Sequence, residues 1–439
     1  MIVPSSRLQW LVAILGFPAA IAAGLTRAAL PLSIAVIGLI AAAAIADALR
    51  RGRALAGLRV EAPDLIRLFK DRDGEIRLLV RNEHKRGRLV RAGIVAPRGI
   101  EMPVEDQVVS LPAGAELSQI KWRVTPRRRG KYLIDACYLE AASPWGLWQV
   151  RRRDSIDLEV RVYPNLRDES DLRAFRRGLQ GLRVLRQIGR GREFEKLREY
   201  VAGDGFDEIH WKATARRSRP ITKVFQVERT QEIYLAIDAS RLSGRTIGGD
   251  SALEAYLRTA LLVGAAAEKR GDLFGLLVFS NQIESFTRAR HGKQHYAACR
   301  DAIFQIQPRT VSPAFDEVAV FLRTALPRRA LILFLTSLDD PAIAADFMRA
   351  SRLIGVRHVV AAAMPRPTGA QRLFHDVSSG AESEVNLYRE LAGHLAWRRL
   401  KELDRNLARQ GVRLRLAEPG ALTSAAMSVY DEVKQKQAL

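Results

Sequence analysis

Apolar and polar positions follow three successive rhythms along the chain. Residues 10–25 and 28–46 are two almost uncharged apolar runs separated by Thr26 and Arg27. They predict a transmembrane helical hairpin, because a hydrocarbon core needs roughly 20 apolar helical residues, and Leu8 with an interfacial Trp10 can extend the shorter first run. Pro18 and Pro31 kink such helices without forbidding them. Ala20-Ile21-Ala22 leaves a cleaved signal peptide as the competing reading, with the second run kept as an anchor.

The second rhythm has period two. Apolar residues alternate at 75–81, 89–95, 117–124, 132–139 and 157–162, with turn formers at Asp73-Gly74, Pro112-Ala113-Gly114 and Arg129-Gly130. Short alternating runs between turn signals predict a small all-β sandwich.

The third rhythm begins after Gly191, where strands alternate with helices. Strands are expected at 232–238, 273–279, 330–336, 357–363 and 412–417, with a hairpin partner at 283–287. Helical periodicity marks 251–269, 294–306, 315–325, 341–353, 384–409 and 421–434. Such alternation is the sign of a doubly wound, Rossmann-type α/β sheet covered on both faces. The expected division is therefore a hairpin at 1–53, a sandwich at 54–165, an Arg-rich connector at 166–190 and the α/β part at 191–439. The connector has some helical periodicity at Leu172, Phe175, Leu179 and Leu182.

A formal net charge of +22 permits nucleic acid, anionic lipid or an acidic protein as partner. Arg7 precedes the hairpin and Arg50, Arg51 and Arg53 follow it, against Arg27 at its tip, so the positive-inside rule puts both ends in the cytoplasm. With an inner membrane alongside, Arg127-Arg128-Arg129, Arg151-Arg152-Arg153 and the arginines from Arg173 to Arg198 can face anionic head groups. A nucleic-acid partner is not expected, since these runs lack interleaved aromatics and any zinc-finger or RNA-binding signature.

Signals for enzyme chemistry are sparse. Cys137 and Cys299 lie far apart with no second ligand nearby, which suits buried thiols in a reducing compartment. The chain has no GxxxxGK[ST] phosphate loop and no GxSxG nucleophile elbow. Gly189-Arg190-Gly191 is not a dinucleotide fingerprint, and His291 with His295 lacks a third zinc ligand, so these histidines are expected at the surface.

Specific residues after the connector are recognisable. Gly191-Arg192-Glu193-Phe194, Leu197-Arg198-Glu199-Tyr200, Gly203-Asp204 and Ile209-His210-Trp211-Lys212-Ala213-Thr214-Ala215-Arg216, followed by Glu228-Arg229, resemble the signature of the bacterial family of domain of unknown function 58. Pro126, Arg129-Gly130, Tyr132, Ser143-Pro144-Trp145-Gly146-Leu147, Val162-Tyr163-Pro164-Asn165, Tyr430 and Val433-Lys434 extend the likeness over most of the chain. The resemblance implies a von Willebrand factor A-like (vWA) protein with an N-terminal membrane hairpin and no established enzymatic activity. It also implies association with a MoxR-type AAA+ ATPase in the assembly or maturation of other proteins.

A vWA adhesion site needs Asp-x-Ser-x-Ser after its first strand, a Thr from a second loop and an Asp from a third, since Mg²⁺ takes about six oxygens. Asp238 and Ser240 fit the start, but Leu242 occupies the third position and Ser243 comes one residue late. The second-loop hydroxyl is Thr310 or Ser312. Ser337 stands where the third-loop Asp is expected, with Asp339 and Asp340 following. The candidate remnant of a Mg²⁺ site is thus Asp238, Ser240, Thr310 and Asp339. A metal-free binding edge at the same place is the alternative, and so is a turn in which Asp238 and Ser240 only accept backbone N–H bonds.

The signature residues Glu193, Phe194, Arg198, Glu199, Tyr200, Gly203, Asp204, Asp207, His210, Trp211, Arg216 and Glu228 are expected to form a salt-bridged loop that presents a docking face. The leading functional expectation is a membrane-anchored binding or adaptor protein that is not an enzyme. One alternative is a hydrolase built on Asp204, Asp207 and His210; another is a membrane-tethered nucleic-acid binder.

Overall fold

The computed structural model describes residues 1–166, 188–189, 193–201, 206, 209–226, 231–247, 249–372, 384–418 and 420–435. It divides into two compact units, Met1–Asn165 and Leu166–Leu439.

The first unit opens with a short strand, β1 (Ile2–Pro4), and two helical runs, α1 (Ser6–Leu25) and α2 (Leu30–Leu49). Both runs are long and apolar enough to cross a membrane, and almost all their apolar side chains are exposed. Ten strands in all, counting β1, make up the rest of this unit's sheets. They are β2 (Leu58–Glu61), β3 (Leu65–Phe69), β4 (Gly74–Asn82), β5 (Arg88–Ile94), β6 (Ile100–Glu101), β7 (Asp106–Leu111), β8 (Leu117–Pro126), β9 (Gly130–Ala142) and β10 (Trp148–Tyr163). One sheet runs β1-β10-β9-β5-β7, with β3 also on β10; the other runs β2-β4-β8-β6. Alternation does the folding: Ile76, Leu78 and Val80 of β4 and Ile120, Trp122 and Val124 of β8 bury against Val90, Ala92, Ile134 and Leu158 of the facing sheet.

Strand β10 is longer than its apolar alternation predicts, because Arg151-Arg152-Arg153 belongs to it. These arginines pair with Glu140, Asp154 and Asp135 at 2.5, 2.6 and 2.8 Å. Arg127 pairs with Glu101 at 2.9 Å, and Arg129 is buried. Local carboxylates thus match Arg127, Arg151, Arg152 and Arg153, which lowers the net charge that these runs offer to head groups. The run at Arg173 lies outside the described residues, as does the helical periodicity of the connector.

The second unit begins with a small antiparallel sheet, β11 (Ile188–Gly189), β12 (Glu193–Glu199) and β13 (Ile221–Gln226), in the order β11-β13-β12, with a short helix α3 (Trp211–Arg217) between β12 and β13. The salt-bridged loop expected here is corrected to strands and a helix. Charge hides the strand, and a register shift between Phe194 and Lys196 breaks its period, leaving Phe194 and Leu197 three residues apart.

A six-stranded sheet follows. Its elements in chain order are β14 (Glu232–Asp238), the small ribbon β15 (Thr246–Ile247) and β16 (Asp250–Ser251), α4 (Ala252–Lys269), β17 (Leu273–Phe279), β18 (Ile283–Arg290), α5 (Lys293–Ile303), α6 (Phe315–Ala325), β19 (Leu331–Leu335), α7 (Pro341–Gly355), β20 (Val359–Pro365), α8 (Glu384–Arg409), β21 (Arg413–Ala417) and α9 (Leu422–Gln435). The order is β18-β17-β14-β19-β20-β21, parallel except for the edge strand β18. Ile233, Leu235 and Ile237 of β14 face α4, α5 and α9. Tyr234 and Ala236 face α6, α7 and the second half of α8. Helices thus cover both faces, and the chain switches direction across the sheet at β14, between β17 and β19.

Candidate functional site

In an open α/β sheet, ligands meet the carboxyl ends of strands where the strand order reverses. Here that place is the end of β14, and Asp238 stands on it. Asp238 is wholly buried. Its Oδ1 accepts the Ser240 backbone N–H at 2.8 Å and its Oδ2 accepts the Thr336 hydroxyl at 2.6 Å. The chain then tightens into a single 3-10 turn, Arg241–Gly244, in which the Ser243 hydroxyl donates to the Ser240 carbonyl at 2.7 Å. Leu242 sinks into the core beside Phe315 and Phe334, which explains why a second loop hydroxyl is missing at that position.

Two further loops close on this one. Arg309 N–H donates to the Ala239 carbonyl at 2.8 Å, and Arg241 N–H donates to the Val311 carbonyl at 2.9 Å. Thr310, between them, is brought to the same edge by its backbone, with an exposed side chain; Ser312 is exposed too. From the third loop, the Ser337 hydroxyl is bonded to the Tyr256 phenol at 2.8 Å inside the core. Asp340 caps α7 by accepting Ala342 N–H at 3.0 Å and also accepts from Arg241 at 3.0 Å. Asp339 accepts from Arg245.

Burial pushes the Asp238 carboxyl well above the usual range, with the nearby Ser240 and Thr336 hydroxyls opposing the rise. The Ser240 Oγ is close to the carboxylate but lacks full hydrogen-bond alignment to any group, as does Asp339 Oδ1. Positive charge at the edge comes from Arg241, Arg245 and Arg309, the last paired with Glu284 at 2.7 Å.

This donor set does not fit a Mg²⁺ site. A hard divalent cation wants about six oxygens carrying compensating charge. Both Asp238 oxygens already accept hydrogen bonds, Ser337 is engaged with Tyr256, and the third-loop carboxylates face guanidinium groups. Of the predicted ligands, Asp238 and Ser240 stand together, Thr310 lies on the same edge with its side chain exposed, and Asp339 is turned to Arg245. Among the described residues, no group of three or more His, Cys, Asp or Glu is placed to hold a metal ion. The neighbouring cleft, lined by Ala239, Glu284, Pro308 and Arg309 among others, has a volume of about 220 Å³. That is below the roughly 300–1,000 Å³ typical of small-molecule pockets.

Signature residues divide differently. Glu193, Phe194 and Arg198 lie on β12, and Glu199 at its end pairs with Arg219 at 3.1 Å. Tyr200 N–H bonds to the Pro220 carbonyl at 2.9 Å, and its ring lies 6.1 Å from Phe206. His210 caps α3, its Nδ1 accepting Ala213 N–H at 3.0 Å. Trp211 is 69% exposed at the start of that helix, and Arg216 is exposed further along it. Gly203, Asp204, Asp207 and Glu228 lie outside the described residues, so the hydrolase constellation is represented by His210 alone.

A Cys/His pair escaped the sequence reading. Cys299 Sγ lies 3.4 Å from His295 Nε2, which also bonds to the Phe274 carbonyl at 2.7 Å. Spacing of four on α5 was the available signal. His295 is thus half-buried rather than a surface residue, and His291 is exposed before the helix begins. Burial pushes the Cys299 thiol up to about 12, as it does Cys137, so neither is an activated nucleophile.

Solved structures similar to this chain include the SpRpn10 VWA domain, at 9% identity and a TM-score of 0.28, covering 46% of this chain and 94% of that one. A PapD-like domain of human CEP192 matches at 10% identity and a TM-score of 0.17, covering 24% and 84%. A protein of unknown function from Porphyromonas gingivalis W83 matches at 16% identity and 0.18, covering 25% and 48%. The fold rests on the strand order above, not on these scores. No curated protein matches the sequence significantly. Family comparison is more direct: residues 196–386 match the model described as "Protein of unknown function DUF58", and the chain carries a domain of the DUF58 family.

Proposed function

We propose that this is a membrane-anchored vWA-like binding or adaptor protein, with no catalytic role of its own, that works at the inner membrane with a MoxR-type AAA+ ATPase in assembling or maturing other proteins. The observation that carries this reading is the three-loop edge around Asp238, where Arg241 and Arg245 hold Asp340 and Asp339. A vWA domain binds partners at this edge through an ion; here two guanidinium groups lie at the edge, about half exposed, with donors left for a partner's carboxylate. The strand order with its antiparallel edge supports the vWA reading.

The apolar exposed hairpin supports the tether, since so large an apolar surface does not persist in water. Arg7, Arg50, Arg51 and Arg53 at its ends, against Arg27 at its tip, support cytoplasmic soluble units. A buried thiol of high pKa and a helix-capping His210 give the hydrolase alternative little to build on. Paired arginines on the sandwich do the same for the nucleic-acid alternative.

The test uses the detergent-solubilised full chain and a purified MoxR-type ATPase from the same organism. Binding is expected with and without chelator, and it is expected to weaken about tenfold or more when Arg241→Glu and Arg245→Glu are combined, as for charge reversal at an interface. Absence of binding at low and moderate salt would overturn the reading.

A further inference from the structure

We propose that the 143–148 loop of the sandwich and the arginines at the ends of the hairpin form a site for anionic lipid head groups. The proposal rests on reading α1 and α2 as membrane-spanning. Asp47, two residues from the end of α2, is wholly buried and accepts three hydrogen bonds from this loop: from the Ser143 hydroxyl, from Trp145 N–H at 3.0 Å and from Leu147 N–H at 3.0 Å. Trp148 Nε1–H donates to the Ala44 carbonyl at 2.8 Å. Leu147 packs on Leu8 and Ala44. On the other side of the hairpin, Ser5 caps α1 and donates to the Gly146 carbonyl at 2.6 Å. Strand β1 continues the sheet alongside β10.

These bonds fix the depth of the loop. Ala44 lies five residues before the end of α2, about 7.5 Å along a helix at 1.5 Å per residue. With residues 28–46 in the hydrocarbon core, the loop, bonded to Ala44 inside that span and to Asp47 just beyond it, stands at the boundary between hydrocarbon and head groups. The acid that would repel anionic lipid there is turned inward and covered by its three donors. What the loop presents outward is Trp145, 47% exposed, with the Arg50 guanidinium 4.7 Å from its ring centroid. Arg7 reaches Gly146, and Arg51 and Arg53 are exposed beside the helix end. Among the described residues, Arg7, Arg50, Arg51 and Arg53 have no carboxylate partner, in contrast to Arg127, Arg151, Arg152 and Arg153. Four uncompensated cations and an amphipathic indole at interfacial depth match a phosphate-bearing anionic surface.

The experiment reconstitutes the full chain in vesicles of phosphatidylcholine with phosphatidylglycerol, one or the other lipid carrying a quencher near its head group. The fluorescence of Trp145 is taken as the difference between the native chain and Trp145→Phe. Quenching of that component is expected from both lipids but preferentially from phosphatidylglycerol, with the preference falling about fivefold for each arginine removed by Arg50→Gln, Arg51→Gln or Arg53→Gln. Melting of each variant checks that it folds. Equal quenching by the two lipids, or none, in a chain that resists alkaline extraction from the vesicles would overturn the proposal and leave the tether standing. Release of the chain by alkaline extraction would overturn both.

Discussion

The Thr336 hydroxyl donates to Asp238 Oδ2 at 2.6 Å, tying the ends of the two central strands, β14 and β19, together through a carboxylate that solvent does not reach. Everything at the edge is arranged around that carboxylate. Its oxygens are satisfied by protein donors, and the guanidinium groups of Arg241 and Arg245 sit one layer out on Asp340 and Asp339.

Because burial raises the pKa of Asp238 in the folded state, the folded chain holds a proton there, between pH 3.8 and the folded pKa, that the unfolded chain has released. Its contribution to stability is therefore present below the ordinary value of 3.8 and is lost as pH rises from there through the folded pKa. Asp238→Asn removes this loss: the amide oxygen can still accept from Ser240, and the amide nitrogen can donate to a reoriented Thr336. Thermal melting of the variant at neutral pH is expected to match or exceed that of the native chain, with a flatter pH dependence. A clear loss of stability at neutral pH would mean that the charge is needed there.

Arg241 and Arg245 are about half exposed, and exposed pairs contribute little to stability, about 0–1 kcal/mol each. Replacing both by Met is expected to shift the denaturant midpoint only slightly while weakening capture of the ATPase. Equal loss of folding and of binding would recast them as structural.

Trp211 offers a second test of the docking surface. It is exposed at the head of α3, as indole anchors of interfaces are in the free protein. Trp211→Ala should leave the melting temperature nearly unchanged and cost about 2 kcal/mol or more in partner affinity, measurable by titration. Unchanged affinity would remove the signature segment from the interface.

Asp47→Ala leaves the Ser143 hydroxyl and the Trp145 and Leu147 N–H groups without their acceptor. Each unsatisfied buried donor costs about 1–3 kcal/mol, so the 143–148 loop should detach and become open to limited proteolysis in the reconstituted chain. A loop that stays protected would contradict the latch.

His358 is buried with both ring nitrogens unpartnered, and burial lowers its pKa below the ordinary 6.5. The unfolded chain takes up a proton that the folded chain resists, so stability is lost as pH falls below about 6.5. His358→Leu is expected to raise stability by about 1–2 kcal/mol and to reduce that acid-side loss in a melting series. Destabilisation at every pH would show that a nitrogen is satisfied after all.

The fold was legible where one periodicity dominated. The run 251–269 buries Leu253, Tyr256, Leu257, Ala260 and Leu261 on one side and forms α4 as its spacing requires. Strands carrying charge were legible only in part: the alternation at 157–162 marks the second half of β10, but its first half hides behind Arg151-Arg152-Arg153, of whose partners Glu140 and Asp135 come from the neighbouring strand. Short edge strands such as β1 and β6 depend on pairing and carry no pattern of their own. At the site, Asp238 and Ser240 stood out by local spacing. Arg241 and Arg245 did not, because their partners lie 99 and 94 residues away in sequence and only the sheet brings them together. Leu242 looked like a lost ligand and is a core residue whose burial shapes the turn.

The claim that guanidinium groups take the place of a metal at this edge is tested most directly by calorimetric titration of the full chain, in detergent, with Mg²⁺ and with Mn²⁺. The account predicts no saturable heat up to millimolar ion and no rise in melting temperature, in the native chain and in Asp238→Asn alike. Saturable binding with stabilisation of the native chain, lost in Asp238→Asn, would contradict it.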